Sequence, residues 1–224
     1  MSDSYQKRIV VLISGSGSNL QALIDSSRSP SLPGQIVLVI SNRKAAYGLT
    51  RASLASPPIA TSVLSLKTFL TAHPTLSRTD YDVALARLVR EARPDLVVLA
   101  GFMHILSPEF LDLVHAPLDD GTAPAAQRFP IINLHPALPG AFDGAAAIPR
   151  ALDAYKSGAV KGTGAMVHRV VADVDAGEPL IVREVEIKPD DTLEDLETRI
   201  HAVEHEIIVQ GGKMALELAA EGRY

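Results

Sequence analysis

The chain has 224 residues, 47% hydrophobic and 21% charged, with a formal net charge of −5 and no cysteine. Such a length buries a substantial core, in one large domain or two small ones, and the missing cysteine excludes a disulfide framework, a thiolate metal site and a cysteine nucleophile. An acidic balance without a Lys/Arg cluster argues against non-specific nucleic-acid binding, no apolar run approaches the roughly 20 residues of a membrane span, and the polar start, residues 1–8, lacks the apolar region of a signal peptide.

These features predict a cytoplasmic protein without nucleic-acid or membrane partners. Short apolar runs alternate with amphipathic stretches, the pattern of βα units and a mostly parallel sheet. Residues 9–13 read as a strand running into Gly15-Ser16-Gly17-Ser18-Asn19 and a helical stretch at 20–24. A second strand follows at 36–40, and residues 47–54 have helical spacing. After Pro57 and Pro58, residues 80–92 read as a helix presenting Val83, Leu85, Leu88 and Val89 to the sheet and ended by Pro94, with Arg78 just ahead of it. Residues 96–100 form a continuous apolar strand, as expected of one covered on both faces, and residues 131–134 form another.

Between these two strands, residues 116–128 are rich in Pro, Ala, Gly and Asp and read as a surface insertion, because the flanking strands belong to one sheet. The chain is therefore read as a single domain, 1–224. Residues 166–171 and 180–187 predict a strand pair joined by a functional Asp/Gly-rich loop. Thr192 caps a long carboxy-terminal helix, with Asp195 completing a capping box in the usual Glu place. Leu193, Leu196, Ile200, Val203 and Ile207 give that helix one docking face. The expected fold is α/β, an open, mostly parallel, twisted, Rossmann-like sheet with ligands at the carboxyl ends of its strands.

Asn133-Leu134-His135-Pro136 closes an apolar run, and Asp173-Val174-Asp175-Ala176-Gly177 follows later in the chain. Together they offer an amide, an imidazole and a carboxylate. A neutral histidine can accept a proton from an amine, a buried carboxylate can orient its ring, and an amide N–H can donate to a developing oxyanion. That equipment suits acyl transfer without a Ser or Cys nucleophile; the alternative is a strand-end Asn and His that only cap a loop. Strand, Gly15 to Asn19, helix is a phosphate cradle, in which free N–H groups at the helix start face the anion. Leu20 breaks the G-x-G-x-x-G fingerprint, and Ser41-Asn42 supply no acid for a ribose diol, so a dinucleotide is disfavoured. A glycine turn needed for packing is the alternative there.

His201-Ala202-Val203-Glu204-His205 matches H-x-x-E-H, but a catalytic zinc needs a third protein ligand and only scattered candidates exist, so no metal is expected. Glu204 facing a cationic or hydroxylated substrate and a solvated helix face remain as alternatives. His73 and His115 are expected to face solvent. His168 is either a hydrogen-bonded structural group or a ligand, and Arg78 is either a surface residue or an anion contact.

Taken together, the motifs at 11–21, 41–49, 95–107, 133–139 and 173–177 resemble the folate-dependent phosphoribosylglycinamide formyltransferase family over about residues 9–209. The Asn-x-His-Pro and Asp-x-Gly motifs are shared by the wider formyltransferases, whereas the Gly-Ser-Gly-Ser-Asn-Leu-Gln motif points to the phosphoribosyl substrate. The resemblance implies that Gly17, Ser18 and Asn19 hold the phosphate of glycinamide ribonucleotide and that Asn133, His135 and Asp175 are the catalytic trio. It implies further that Met103, His104, Ile105 and Leu106, with Ala172, Asp173, Val174 and Asp175, hold the pterin of the cosubstrate 10-formyltetrahydrofolate through backbone. Arg78 matches a residue near the folate, and Glu204 with His201 matches helix positions that meet the ribonucleotide.

The chain departs from the family pattern in three places. His104 stands where many bacterial relatives have Arg, residues 116–128 look more like the fungal members, and residues 140–147 carry alanines where relatives place polar side chains, so substrate contact there must use backbone. The expected reaction is a direct, metal-free formyl transfer to the glycinamide amine. A formyltetrahydrofolate hydrolase, a non-catalytic phosphate- or nucleotide-binding module and, more distantly, a zinc peptidase are the alternatives. Oligomeric state stays open, a homodimer included.

Overall fold

The computed structural model describes residues 6–116 and 129–224; residues 1–5 of the polar start and 117–128 of the expected insertion lie outside the described residues. In chain order the elements are β1 (Lys7–Ile13), α1 (Ser18–Ser26), β2 (Gly34–Ser41), α2 (Tyr47–Leu54), β3 (Ala60–Val63), α3 (Leu66–Ala72) and α4 (Arg78–Glu91). They continue with β4 (Leu96–Leu99), α5 (Pro108–His115), β5 (Ile131–His135), α6 (Ala147–Lys156), β6 (Thr163–Arg169), β7 (Pro179–Val185) and α7 (Leu193–Ala220). The strands form a seven-stranded sheet in the order β3-β2-β1-β4-β5-β6-β7. The first five pair in parallel, whereas β6 and β7 are antiparallel additions beside β5.

Apolar residues on both faces of β1 and β4 explain why those runs are continuous rather than alternating. Ile9, Val11, Ile13, Leu96 and Val98 face a core that includes Leu20 and Leu23 of α1 and Ile207 and Ile208 of α7. Val10, Leu12, Val97 and Leu99 face the opposite core, with Tyr81, Leu85 and Val89 of α4 and Phe110 of α5. A third cluster joins α6 to α7 through Ile148, Leu152, Leu196 and Ile200. Each such fully buried Leu, Ile or Val stabilises the fold by about 1.5–3 kcal/mol relative to exposure. No described helix is long and apolar enough to cross a membrane.

Local signals account for the helix ends. Thr192 and Asp195 form the expected capping box of α7. Ser77 and Asp80 form a second one, which starts α4 at Arg78, two residues before the boundary expected from the apolar spacing, so Arg78 is the first helical residue rather than a preceding one. Within the proposed docking faces, Leu193 is 39% exposed and Val83 and Leu88 are only half-buried, because each lies at the rim of its helix face. His115 is also half-buried: its Nε2 lies 3.2 Å from the Phe129 carbonyl and its ring packs against that phenyl, which corrects the expected solvent exposure.

Strand order reverses at β1, which has β2 on one side and β4 on the other, and the loops leaving β1 and β4 diverge to open a crevice. Its floor is tied together at Ser14. Ser14 N–H donates to the Gly101 carbonyl at 3.1 Å, and Ser14 Oγ accepts from Met103 N–H at 2.7 Å while donating to Asn42 Oδ1 at 2.7 Å.

Candidate active site

Asn133 and His135 sit at the carboxyl end of β5, and the antiparallel register with β6 pairs Asn133 with His168 and His135 with Met166. Paired residues project to the same face of a sheet, so Asn133 Nδ2 lies 3.1 Å from His168 Nε2. The loop after β6 then brings Asp175 back over both. Asp175 Oδ1 accepts from Asn133 Nδ2 at 3.2 Å and lies 3.4 Å from His168 Nε2. Its Oδ2 accepts from Gly144 N–H at 2.9 Å and lies 3.4 Å from His135 Nδ1.

Two backbone features hold that loop. Asp175 adopts φ 53°, a left-handed conformation that Asp and Asn tolerate better than other side chains. A Cβ on Gly177 would lie 1.6 Å from the Arg169 carbonyl oxygen, so the loop can close against β6 only with glycine there. Burial by itself would raise the Asp175 carboxyl; hydrogen bonds from His168 and Gly144 and the charges of His135 and His168 outweigh it and hold the group below its ordinary 3.8. Both ring nitrogens of His135 face acceptors, Nδ1 the Asp175 carboxylate and Nε2 the Ala141 carbonyl at 3.4 Å, so either can carry a proton. His168 Nδ1 faces the carbonyl of Arg169 at 2.9 Å.

A cleft of about 540 Å³ opens from this cluster. Asn133, His135 and Asp175 line it together with Arg78, Met103, His104, Ile105, Leu106, Ala172, Asp173 and Val174. Met103 and Ile105 are 64% and 55% exposed, an apolar surface offered to a flat ligand. Arg78 Nη2 donates to the Ile105 carbonyl at 2.7 Å. The His104 side chain is mostly buried and turns back to the carboxylate of Asp82.

The remaining expected residues gather elsewhere, around the start of α1. Gly17 precedes that helix with φ 71°, and a Cβ there would come within 2.6 Å of Gly48 Cα, so the turn requires glycine twice over. Ser18 and Asn19 follow at the helix start, where unpaired N–H groups favour an anion. Asn19 Nδ2 donates to Glu204 Oε2 at 3.1 Å, although the two residues stand 185 positions apart. Glu204 is buried and His201 exposed on the same helix. Burial pushes the Glu204 carboxyl up against the opposing effects of Asn19 and His201, and burial with the charges of His201 and Arg51 pushes the His205 imidazole down. Asn19 Oδ1 and His205 Nε2 are buried without a hydrogen-bond partner among the described residues. No set of three ligand atoms forms around His201 and His205 among the described residues; the group that does form is His135, Asp143 and Asp175, whose ligand atoms lie within 4.8 Å of one another.

Sequence reasoning left His168 undecided and did not single out Gly144 or Asp82. For His168 the sequence showed only its alternation with apolar residues in a strand; its place opposite Asn133 comes from the register of β6 against β5. Gly144 contributes only a backbone N–H and Asp82 lies unmarked within a helix, so neither left a side-chain pattern to find.

The formyl transferase family profile matches residues 7–211. The chain is 50% identical to the phosphoribosylglycinamide formyltransferase of Schizosaccharomyces pombe over 205 residues, covering 90% of this chain and 93% of that one. It is 46% identical to that of Dictyostelium discoideum over 210 residues, covering 92% and 96%. Among solved structures, glycinamide ribonucleotide transformylase 1 from Symbiobacterium toebii superposes with a TM-score of 0.79 at 38% identity, covering 99% of this chain and 91% of that one.

Proposed function

Because the chain belongs to the formyl transferase family, we propose that it transfers the formyl group of 10-formyltetrahydrofolate to the amine of 5-phosphoribosylglycinamide, a step of purine biosynthesis. The observation that carries this reading is the convergence of Asn133, His135 and Asp175 at one end of a cleft whose walls suit a flat ligand. Gly17, Ser18 and Asn19 serve the ribonucleotide phosphate. Glu204 and His201 serve the rest of that substrate, and the unpartnered Asn19 Oδ1 and His205 Nε2 support a polar ligand at that end. The pterin lies against Met103, His104 backbone, Ile105, Leu106 and Ala172 to Val174, with Arg78 at the edge.

In the reaction the glycinamide nitrogen attacks the formyl carbon, and the carbonyl electron pair moves to oxygen. Asn133 N–H and a protonated nitrogen of His135 receive that oxyanion, at the point where charge develops. The long contact of His135 Nε2 with the Ala141 carbonyl, 3.4 Å, is one that a substrate oxygen can replace. Asp175 holds the ring and balances its charge, while Gly144 N–H and His168 hold Asp175 in turn. The proton lost by the amine reaches the folate nitrogen as the bond from that nitrogen to the formyl carbon breaks, with His135 as carrier. No metal takes part in this scheme, and a single domain, a cytoplasmic location and small-molecule partners only belong to the same reading.

The test is an assay of purified protein with 10-formyltetrahydrofolate, with and without the ribonucleotide, following folate product and formate together. Ribonucleotide-dependent folate release without formate is expected. Formate without ribonucleotide would replace the proposal by a hydrolase, and silence in both would leave a binding protein.

A further inference from the structure

The 103–107 loop that walls the cleft owes its shape to polar tethers behind it, since the apolar Met103 and Ile105 face outward and are 64% and 55% exposed. Met103 N–H is held by Ser14 Oγ at 2.7 Å and the Ile105 carbonyl by Arg78 at 2.7 Å. Behind the loop stands Asp82, with no exposed surface, whose two oxygens hold it at two points, His104 between those tethers and Ser107 at its end. Oδ1 meets His104 Nε2 at 2.5 Å, and Oδ2 accepts from Ser107 N–H at 3.2 Å. The His104 side chain is only 8% exposed. The rings of Tyr81 and Phe102 meet it edge-on, with centroids 5.1 Å and 5.9 Å away. Tyr81 is itself anchored by its hydroxyl to the Leu64 carbonyl at 2.8 Å.

We propose that His104 is a positioning residue: through the buried carboxylate of Asp82 it holds the 103–107 loop in the shape that the folate requires, without touching the folate through its side chain. This inference rests on the proposed function for the identity of the ligand. A shorter side chain cannot reach Asp82, so the loop keeps its outer tethers and loses the central one. A guanidinium can reach the same carboxylate from the same backbone position, bidentate and always charged.

The test uses the full chain and the variants His104→Asn and His104→Arg. Affinity for tetrahydrofolate is measured by calorimetry, and KM and kcat are measured with 10-formyltetrahydrofolate and the ribonucleotide. Loss of one charge-assisted bond predicts that His104→Asn weakens tetrahydrofolate binding and raises the folate KM about tenfold, equivalent to about 1.4 kcal/mol. The ribonucleotide KM and kcat stay within about twofold, because that substrate binds elsewhere. His104→Arg recovers most of the folate affinity. Unchanged folate affinity in His104→Asn, an equal loss for both substrates, or no recovery with Arg would each overturn the inference. Should His104→Asn fold poorly because Asp82 is left charged and unpaired, the double variant His104→Asn/Asp82→Asn removes that charge and is expected to fold with the folate defect retained; normal folate affinity in it would overturn the inference as well. A wild-type protein that binds tetrahydrofolate but transfers no formyl group would sink the proposed function while leaving the inference to be decided by the calorimetry. Wild-type protein that does not bind tetrahydrofolate would overturn both.

Discussion

Replacing Asp175 by Asn removes a charge and one accepting oxygen while keeping the size and shape of the side chain. Asn tolerates the left-handed backbone found there, φ 53°, so the loop keeps its path. The carboxylate accepts on both sides, from Asn133 Nδ2 at 3.2 Å and from Gly144 N–H at 2.9 Å. An amide has only one accepting side. With its oxygen toward Asn133, its NH2 faces the Gly144 N–H; with its oxygen toward Gly144, its NH2 faces Asn133. Either way one charge-assisted bond, about 1.5–3 kcal/mol, is lost and a donor is left facing a donor, which on the part-buried Asn133 side costs about 1–3 kcal/mol more and on the exposed Gly144 side less. His135 also loses the anion beside Nδ1. A loss of about 3–5 kcal/mol in transition-state stabilisation lowers kcat by roughly two to four orders of magnitude.

The assay is steady-state turnover at saturating folate, with the ribonucleotide KM determined beside it. That KM stays within about threefold, since the phosphate loop and Glu204 are untouched. The Asp175 carboxyl is held below its ordinary 3.8, so any acid limb that this group gives the wild-type rate lies at lower pH than an ordinary Asp carboxyl would set. Near-normal kcat in the variant, or a fall in kcat matched by an equal rise in the ribonucleotide KM, would refute the reasoning.

Glu204→Gln removes a buried carboxylate whose pKa is raised by burial; the penalty is present when Glu204 is ionised at neutral pH and absent in acid. The variant therefore gains on the order of 1 kcal/mol, about 2–4 °C in Tm, at neutral pH, loses that advantage in acid, and binds the ribonucleotide more weakly; a lower neutral Tm would contradict this. Gly177→Ala forces the loop off the Arg169 carbonyl, and it is expected to cost about 2–3 kcal/mol of stability and most of kcat, whereas retained activity with a normal melting curve would show that the loop tolerates the shift. Asp191 is held at about 2 instead of 3.8, chiefly by Arg199, with paired contacts of 2.8 Å and 2.8 Å. A lowered carboxyl stabilises above its unfolded value and stops doing so as pH falls through the folded one. Asp191→Asn should thus melt below wild type at neutral pH, with the gap closing between 3.8 and about 2; a gap constant down to the lower value would exclude the ion pair as its cause.

Local pattern carried much of the fold. The doubly apolar stretches became β1 and β4 because burying both faces needs apolar residues at every position. Thr192 and Asp195 started α7 because a capping box satisfies helix-end N–H groups within a few residues. The glycine turn before α1 and the grouping of Asn133, His135 and Asp175 were likewise anticipated from residue types and order, and the structure brings those three side chains together. Elements with weaker periodicity, β3, α3, α5 and α6, were not singled out.

What the tertiary structure alone decided is which of these groups meet. His168 stands against Asn133 because β6 runs antiparallel to β5 in one register; a slip of one residue would turn it to the other face. Gly144 steadies Asp175 through backbone, Glu204 reaches Asn19 across 185 positions, and Asp82 ties down the loop behind His104. Those contacts depend on strand order, register and helix docking, which are set by the packing of the whole core, and a short stretch of sequence records only its own side of each one.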